Sequence, residues 1–205
     1  FLIIIFKNLY IKSKSKFYYW LFSLLLLIGI FNTIVPNEDV AISQELEKIF
    51  KKIVINIYTK SNVEKITKTK KQVTVTIKGQ NVIKADKALI AVGVTGNIEN
   101  LGLNKLKINT KKGFLVVNEY MQTNIENIYA IGDVCGAPLL AHVASFEGVL
   151  AAEYLSGKKV DPMCYDNVPA CTYCEPEIAS VGLTEKQALD AGHKVKIGHF
   201  PFSGL

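Results

Sequence analysis

The residues best placed for chemistry lie within positions 123–142, which read TNIENIYAIGDVCGAPLLAH. Apolar residues at 128–131 predict a short strand that ends at Gly132 and Asp133, and a helix is predicted to open at Leu139. An acidic residue after a buried strand, facing a helix N-terminus, is how α/β folds hold a hydroxylated, phosphorylated ligand. The carboxylate could accept hydrogen bonds from a sugar-like hydroxyl. Capping of the following helix is the alternative role for this aspartate.

The cysteines offer a second candidate site. Cys171 and Cys174 form a lone C-x-x-C, the spacing used by zinc sites and by thioredoxin-like dithiols. A zinc ion would need two further ligands at suitable spacing, and Cys164 with a distant histidine does not provide such a pair. A redox dithiol belongs at a helix N-terminus, whereas residues 170–173 predict a strand, on which positions three apart face opposite sides. We therefore predict structural cysteines, no metal site and a reducing compartment.

The surrounding pattern is that of an α/β protein. Asn37 is the predicted N-cap of a helix that runs to about residue 52. Residues 60–67 and 72–78 predict antiparallel strands, and the apolar run 88–93 predicts a parallel strand buried on both faces. Strands at 170–173 and 178–181 then suggest a new antiparallel sheet. Gly157 is the predicted C-terminal cap of the helix that opens at Leu139. A final helix is predicted to begin at a capping box formed by Thr184 and Gln187 and to end at Gly192.

Charge argues against one class of partner. The formal net charge of the chain is +6. Outside the first 36 residues, the lysines are interleaved with Glu and Asp. No aromatic-interleaved basic stripe is present, so we predict no nucleic-acid partner.

The T…YAIGD stretch resembles the second flavin-binding motif of the flavoprotein disulfide reductases, and LLAHVASFEG narrows the resemblance to the dihydrolipoamide dehydrogenase family. The resemblance implies FAD and NAD as cofactors. In that family a dithiol substrate reduces an active-site disulfide, and electrons pass through FAD to NAD+. The resemblance places the ribityl chain of the flavin at Asp133 and its pyrimidine end at the helix opening. It places Gly93 beside the nicotinamide dinucleotide and Val63 at its adenine side. The implied cofactor-binding residues are Asp133, Leu139, Leu140, Ala141, His142, Gly93 and Val63.

The implied fold is α/β, with partial FAD/NAD(P)-binding Rossmann-like domains followed by the start of an α+β interface (dimerisation) domain. Residues 34–93 correspond to the C-terminal half of the NAD domain, 94–162 to the central, FAD-binding segment, and 163–205 to a truncated interface domain. The implied partners are a lipoylated 2-oxo acid dehydrogenase complex or glycine cleavage components. The intact enzyme would be a homodimer, cytoplasmic or in the mitochondrial matrix of a eukaryote.

Residues 1–33 are atypical. A lysine-rich stretch precedes an apolar run that extends over 17–35, which is a marginal length for a membrane anchor. The resemblance instead favours an interrupted NAD domain, because this run stands where a strand of that domain would end.

Several family motifs have no counterpart in the 205 residues. There is no G-x-G-x-x-G and no pair of cysteines separated by four residues. We therefore expect an internal fragment that carries no catalytic residue and is inactive alone. Two alternatives stay open, namely another flavin disulfide reductase (mercuric or glutathione reductase-like) and a membrane-anchored, non-catalytic module.

Overall fold

The computed structural model describes residues 2–8, 22–53, 55–79 and 82–202. It divides into two compact units, which are Phe1–Gly93 with Leu183–Leu205 and Val94–Gly182. The segment predicted as an interface domain, 163–205, is shared between the two units. The domain boundaries drawn from the family resemblance remain predictions.

The strands, in chain order, are β1 (Leu2–Asn8), β2 (Phe22–Gly29), β3 (Ile55–Tyr58), β4 (Val63–Lys68), β5 (Val73–Ile77), β6 (Val82–Ala85), β7 (Lys87–Ala91), β8 (Thr110–Lys111), β9 (Phe114–Leu115), β10 (Ala170–Thr172) and β11 (Ile178–Ser180). The α-helices are α1 (Val40–Lys52), α2 (Leu103–Leu106), α3 (Ala141–Leu155) and α4 (Glu185–Asp190).

The first unit contains a four-stranded sheet in the order β3-β2-β1-β7. Strands β2 and β3 are parallel and are joined through α1, which is a βαβ connection. Strand β1 is antiparallel to both of its neighbours. The prediction for 88–93 is therefore wrong in two respects, because β7 is an antiparallel edge strand and Leu89 and Ile90 are at least half exposed. A continuous apolar run could not reveal this, since direction and burial depend on the partner strand.

The second sheet of this unit is the antiparallel meander β4-β5-β6, which confirms the antiparallel strands predicted within 60–78. Strand β5 alternates between buried and half-buried positions, as the sequence VTVTI requires of a strand with one face on a core. The core cluster of this unit is Ile28, Val73, Val75, Ile77 and Ala85.

One carboxylate joins two helix starts in the first unit. Asp39, not Asn37 as predicted, is the N-cap of α1, and its Oδ1 accepts a hydrogen bond from the backbone N–H of Ala41 at 3.1 Å. Its Oδ2 accepts from the N–H of Glu185, the first residue of α4, at 2.9 Å. The bond from Glu185, followed by that from Ala41, lowers the pKa of Asp39. Helix α4 also has the predicted capping box between Thr184 and Gln187.

The second unit is built around α3, with the small hairpins β8-β9 and β10-β11. Val143, Leu150 and Ala151 are buried on one face of the helix. The predicted strand at 128–131 is absent from this unit, which is described throughout. An isolated bridge between Gln122 and Tyr129 takes its place. It is short because the chain turns at both ends of the opposing segment, after Asn118 and again between Ile125 and Ile128.

The structure also describes part of the atypical N-terminal region. Residues 22–29 of the apolar run form β2, and residues 9–21 lie outside the described part of the chain. Among the described residues, no helix combines the length and the apolar character that a bilayer crossing requires.

Removing the shared cap should destabilise the chain measurably. We expect Asp39→Ala to lower the free energy of unfolding by about 1 kcal/mol or more, because α1 and α4 both lose an acceptor. The free energy of unfolding of Asp39→Asn should lie between those of the original chain and Asp39→Ala, since asparagine caps helices but has a single acceptor oxygen. Urea unfolding at pH 7 measures both, with Glu38→Gln as the neighbouring control.

The pH dependence has a defined sign. Folding lowers the pKa of Asp39, so the ionised carboxylate contributes to the free energy of unfolding above about pH 4, the ordinary range of this carboxyl. This contribution is lost as the pH falls through the folded-state pKa. The difference between the original chain and Asp39→Asn should therefore shrink in acid. A difference that stays constant down to acidic pH would contradict this account of the cap.

Candidate functional site

The turn that carries Asp133 is a 3₁₀ segment, Gly132–Cys135. Gly132 has a φ of 73°, in the left-handed region that favours glycine, and a Cβ added there would lie 3.0 Å from the Cβ of Ala144 in α3. The turn thus packs directly on the helix, and only glycine fits both its backbone and its space. Asp133 itself is exposed.

A buried carboxylate holds the same turn. Glu147 lies on the inward face of α3 and is only 5% exposed. Its Oε2 accepts a hydrogen bond from the backbone N–H of Gly132 at 2.7 Å, and its Oε1 accepts one from the hydroxyl of Tyr165 at 2.8 Å. Both oxygens are therefore satisfied, as a buried carboxylate requires.

The start of α3 is open to a ligand. The helix begins at Ala141 rather than at Leu139 as predicted, because Leu140 has the extended backbone of an N-cap. Leucine has no side-chain acceptor, and no capping bond is formed at this helix start. The N–H groups of the first turn can therefore donate to an outside acceptor, and the helix dipole favours negative charge there. Leu139 is 37% exposed beside this opening.

One ring nitrogen of His142 forms a hydrogen bond with the backbone. Its Nε2 lies 2.9 Å from the carbonyl oxygen of Pro169. Because a carbonyl only accepts, this nitrogen carries the hydrogen and donates it. The bond anchors the first turn of α3 to the segment that leads into β10, which suits a positional role for the ring.

Val63 and Gly93 belong to the first unit. Val63 packs against the core cluster of that unit and also lines a cavity of about 360 Å³. Val92 lines the same cavity, and Gly93 is the next residue in the sequence. Gly93 has a φ of 109°, and a Cβ added there would meet nothing within 4 Å. The glycine is therefore required by backbone conformation and not by lack of space. The structure thus places Val63, but not Gly93, in the wall of this cavity. In the other unit it brings the turn that carries Asp133 against the first turn of α3.

The cysteines do not form a site in the described part of the chain. All four are free, and Cys171 is exposed on β10. The thiol of Cys174 donates to the carbonyl oxygen of Pro176 at 3.1 Å. Burial, followed by the charges of Glu175 and Glu177, raises the pKa of Cys174. Within the described ranges, no group of three or more His, Cys, Asp or Glu side chains could hold a metal ion.

Sequence reasoning missed Glu147 and Tyr165. A signal for Glu147 was present, since it recurs with Val143, Leu150 and Ala151 at the helical spacing of the buried face. An acidic residue on an apolar stripe needs a partner. No comparable signal marks Tyr165, because its hydroxyl reaches the carboxylate only through the tertiary fold.

Comparison with known families decides the relationship. The family model for pyridine nucleotide-disulphide oxidoreductase matches residues 24–148, and the model for the dimerisation domain of the same oxidoreductases matches 168–205. The chain belongs to the pyridine nucleotide-disulphide oxidoreductase family. The mixed α/β fold and the resemblance read from the sequence are thereby confirmed.

Curated relatives share substantial identity with the chain. It is 46% identical over 174 residues to the dihydrolipoyl dehydrogenase of Zymomonas mobilis, covering 82% of this chain and 37% of that protein. It is 44% identical over 177 residues to the dihydrolipoyl dehydrogenase of Bacillus subtilis, covering 84% and 37%. The chain thus spans well under half the length of the relatives it matches.

Two solved structures are similar in fold. LpdA from Mycobacterium tuberculosis matches with a TM-score of 0.75 and 29% identity, over 82% of this chain and 36% of that one. The HOCl-induced flavoprotein disulfide reductase RclA from Escherichia coli matches with a TM-score of 0.75 and 25% identity, over 82% and 39%.

The partial burial of Cys135, next to the charge of Glu147, predicts an unreactive thiol. Burial raises the pKa of Cys135 to about 11, and the charge of Glu147 adds to this shift. At pH 7.5 we expect iodoacetamide to alkylate Cys135 at least about a hundredfold more slowly than an unhindered peptide cysteine, because the thiolate is the nucleophile.

The alkylation rate of Cys135 should rise about tenfold per pH unit from pH 8 to 10. Mass spectrometry of the digested protein resolves each cysteine, and the exposed Cys171 provides an internal reference for the reagent. A Cys135 rate that levels off below pH 10 would contradict the predicted environment.

Proposed function

We propose that this chain supplies part of the FAD site of a dihydrolipoyl dehydrogenase. The observation that carries the proposal is the exposed carboxylate of Asp133 on a turn fixed next to the uncapped N-terminus of α3. The dihydrolipoyl dehydrogenases at 44–46% identity support it. The intact protein would oxidise protein-bound dihydrolipoamide with NAD+ through FAD and a redox disulfide.

The residues of the second unit suit one end of FAD. The carboxylate of Asp133 would accept hydrogen bonds from ribityl hydroxyls. The backbone of Leu139–His142 would face the pyrimidine end of the ring, where the dipole of α3 favours the negative charge that gathers on reduction. Bound FAD would supply the two-electron carrier between dithiol and nicotinamide.

The first unit would contribute to the NAD site. The cavity lined by Val63 and Val92, with Gly93 directly after it, offers a mostly apolar wall suited to an adenine or nicotinamide ring. We assign no catalytic residue to this chain, because its sequence contains no pair of cysteines separated by four residues. For the same reason we expect the 205-residue chain alone to show no turnover.

The proposed partners follow from the family. The match to the dimerisation domain over 168–205 supports a homodimer of the intact protein. We propose a lipoylated 2-oxo acid dehydrogenase complex or glycine cleavage components as the source of the dithiol. The proposed compartment is the cytoplasm, or the mitochondrial matrix in a eukaryote.

The proposal is tested by titrating the ¹⁵N-labelled chain with FAD. We expect weak binding that is lost on gel filtration, with shifts of amide signals concentrated at Gly132–Cys135 and in the first turn of α3. Asp133→Ala should weaken binding about tenfold or more, because an acceptor for hydroxyl groups is lost. Asp133→Asn, which keeps one acceptor oxygen, should weaken binding less.

The matched control is Asp161→Asn, an exposed acidic residue of the same unit, and we expect no change in FAD binding. Absence of any FAD-dependent shift in the unaltered chain would overturn the proposed flavin site. Steady dihydrolipoamide:NAD+ turnover by the purified chain would overturn the expectation that it is inactive alone.

A further inference from the structure

Three neighbouring positions on one face of α3 pack against Ile131 and Gly132, where the turn that carries Asp133 begins. The Cβ of Ala144 lies 3.0 Å from the position of a Cβ on Gly132. Glu147 accepts the Gly132 N–H. A Cβ on Gly148 would lie 3.2 Å from Cδ1 of Ile131. The helix therefore contacts the start of this turn through two close packing contacts and one hydrogen bond, from the Gly132 N–H to Glu147.

That hydrogen bond depends on the orientation of a buried side chain. A glutamate has three side-chain torsions, so its carboxylate needs a second fixed point if it is to hold Gly132 in one place. Tyr165 supplies this point, because its hydroxyl donates to Oε1 while Oε2 accepts from Gly132. Tyr165 lies in the 3₁₀ segment Tyr165–Asn167, ahead of β10, and the residue is 40% exposed.

We propose that Glu147 is a positioning residue of the flavin site: its carboxylate, oriented by Tyr165, fixes the Gly132 amide and thereby the direction of the Asp133 carboxylate. This inference rests on the proposed function, in which the Asp133 turn receives FAD. Glu147 does not itself contact the ligand. Its effect on FAD passes through the neighbouring residue, and the segment after α3 is coupled to the flavin turn through Tyr165.

The first test needs no cofactor. Hydrogen exchange of individual backbone amides is followed in the ¹⁵N-labelled chain. In Glu147→Ala we expect the Gly132 amide to exchange at least about tenfold faster, while amides within α3 keep their rates, because an acceptor of the charged type is lost locally. Glu147→Gln should stay within about threefold of the original, since its amide oxygen can still accept from Gly132 while its NH₂ donates to Tyr165.

Two further variants make this test decisive. Tyr165→Phe leaves the acceptor in place and frees its orientation, so we expect a smaller rise of about threefold at Gly132. This variant decides the role of Tyr165 even if Glu147→Ala does not fold. Glu153→Gln is the matched control, because Glu153 lies on the same helix and pairs with the exposed Lys158. Unchanged exchange at Gly132 in Glu147→Ala and Tyr165→Phe, or an equal rise throughout α3, would overturn the proposal.

The second test asks whether the effect reaches FAD through Asp133. We expect Glu147→Ala to weaken FAD binding about tenfold and Glu147→Gln to restore it. In an Asp133→Ala background, Glu147→Ala should cause little further loss, because the two residues act in series. Additive losses would show general support of α3 and would overturn the inference. If the unaltered chain does not respond to FAD, the proposed function fails, whereas the exchange test still decides whether Glu147 holds the turn.

Discussion

The hydrogen bond between Glu147 and the Gly132 amide is the constraint on which the second unit depends. Gly132 has a left-handed backbone and no space for a side chain, so its turn lies flat against α3. A peptide N–H pressed against a helix in this way needs an acceptor. The helix supplies one from its own buried face, and the exposed carboxylate of the next residue takes its direction from this contact.

The magnitudes show why this contact outweighs the other charged contacts. The ion pairs on the helices, such as Lys48 with Glu45 and Lys186 with Asp190, join exposed side chains. Such pairs add little to stability, because water screens both charges. A hydrogen bond to a charged group contributes about 1.5–3 kcal/mol, and a buried charge that loses a donor costs more. Glu147 has two such bonds in one place, so the loss of either partner is expected to exceed the loss of a surface ion pair.

Local patterns in the sequence predicted local structure well. The capping box at Thr184 and Gln187 and the positive φ of Gly157 at the end of α3 were both foreseeable, because each depends on residues a few positions apart. Strand β5 was equally foreseeable, because its sequence alternates between apolar and polar residues. The cap at Asp39 was predicted two residues too early, since Asn37 and Asp39 are both favoured N-cap residues and the local pattern does not choose between them.

The parts that escaped prediction depend on tertiary partners. The apolar run that forms β7 could not show that its neighbour is β1 or that it lies at a sheet edge. The motif residues around Asp133 were found through the family resemblance, and the structure brings the turn and the start of α3 together. It could not be foreseen which side chain holds this turn, because Tyr165 meets Glu147 across 18 positions of the chain.

Under the proposed function, the Gly132–Asp133 turn and the start of α3 together receive FAD. The most direct test of this proposal is a set of intermolecular nuclear Overhauser contacts between FAD and the labelled chain. We expect contacts from the ribityl protons to Gly132 and Asp133, and from the isoalloxazine ring to Leu139–His142. Contacts confined to the residues around Val63, with none at the Asp133 turn, would contradict the proposal.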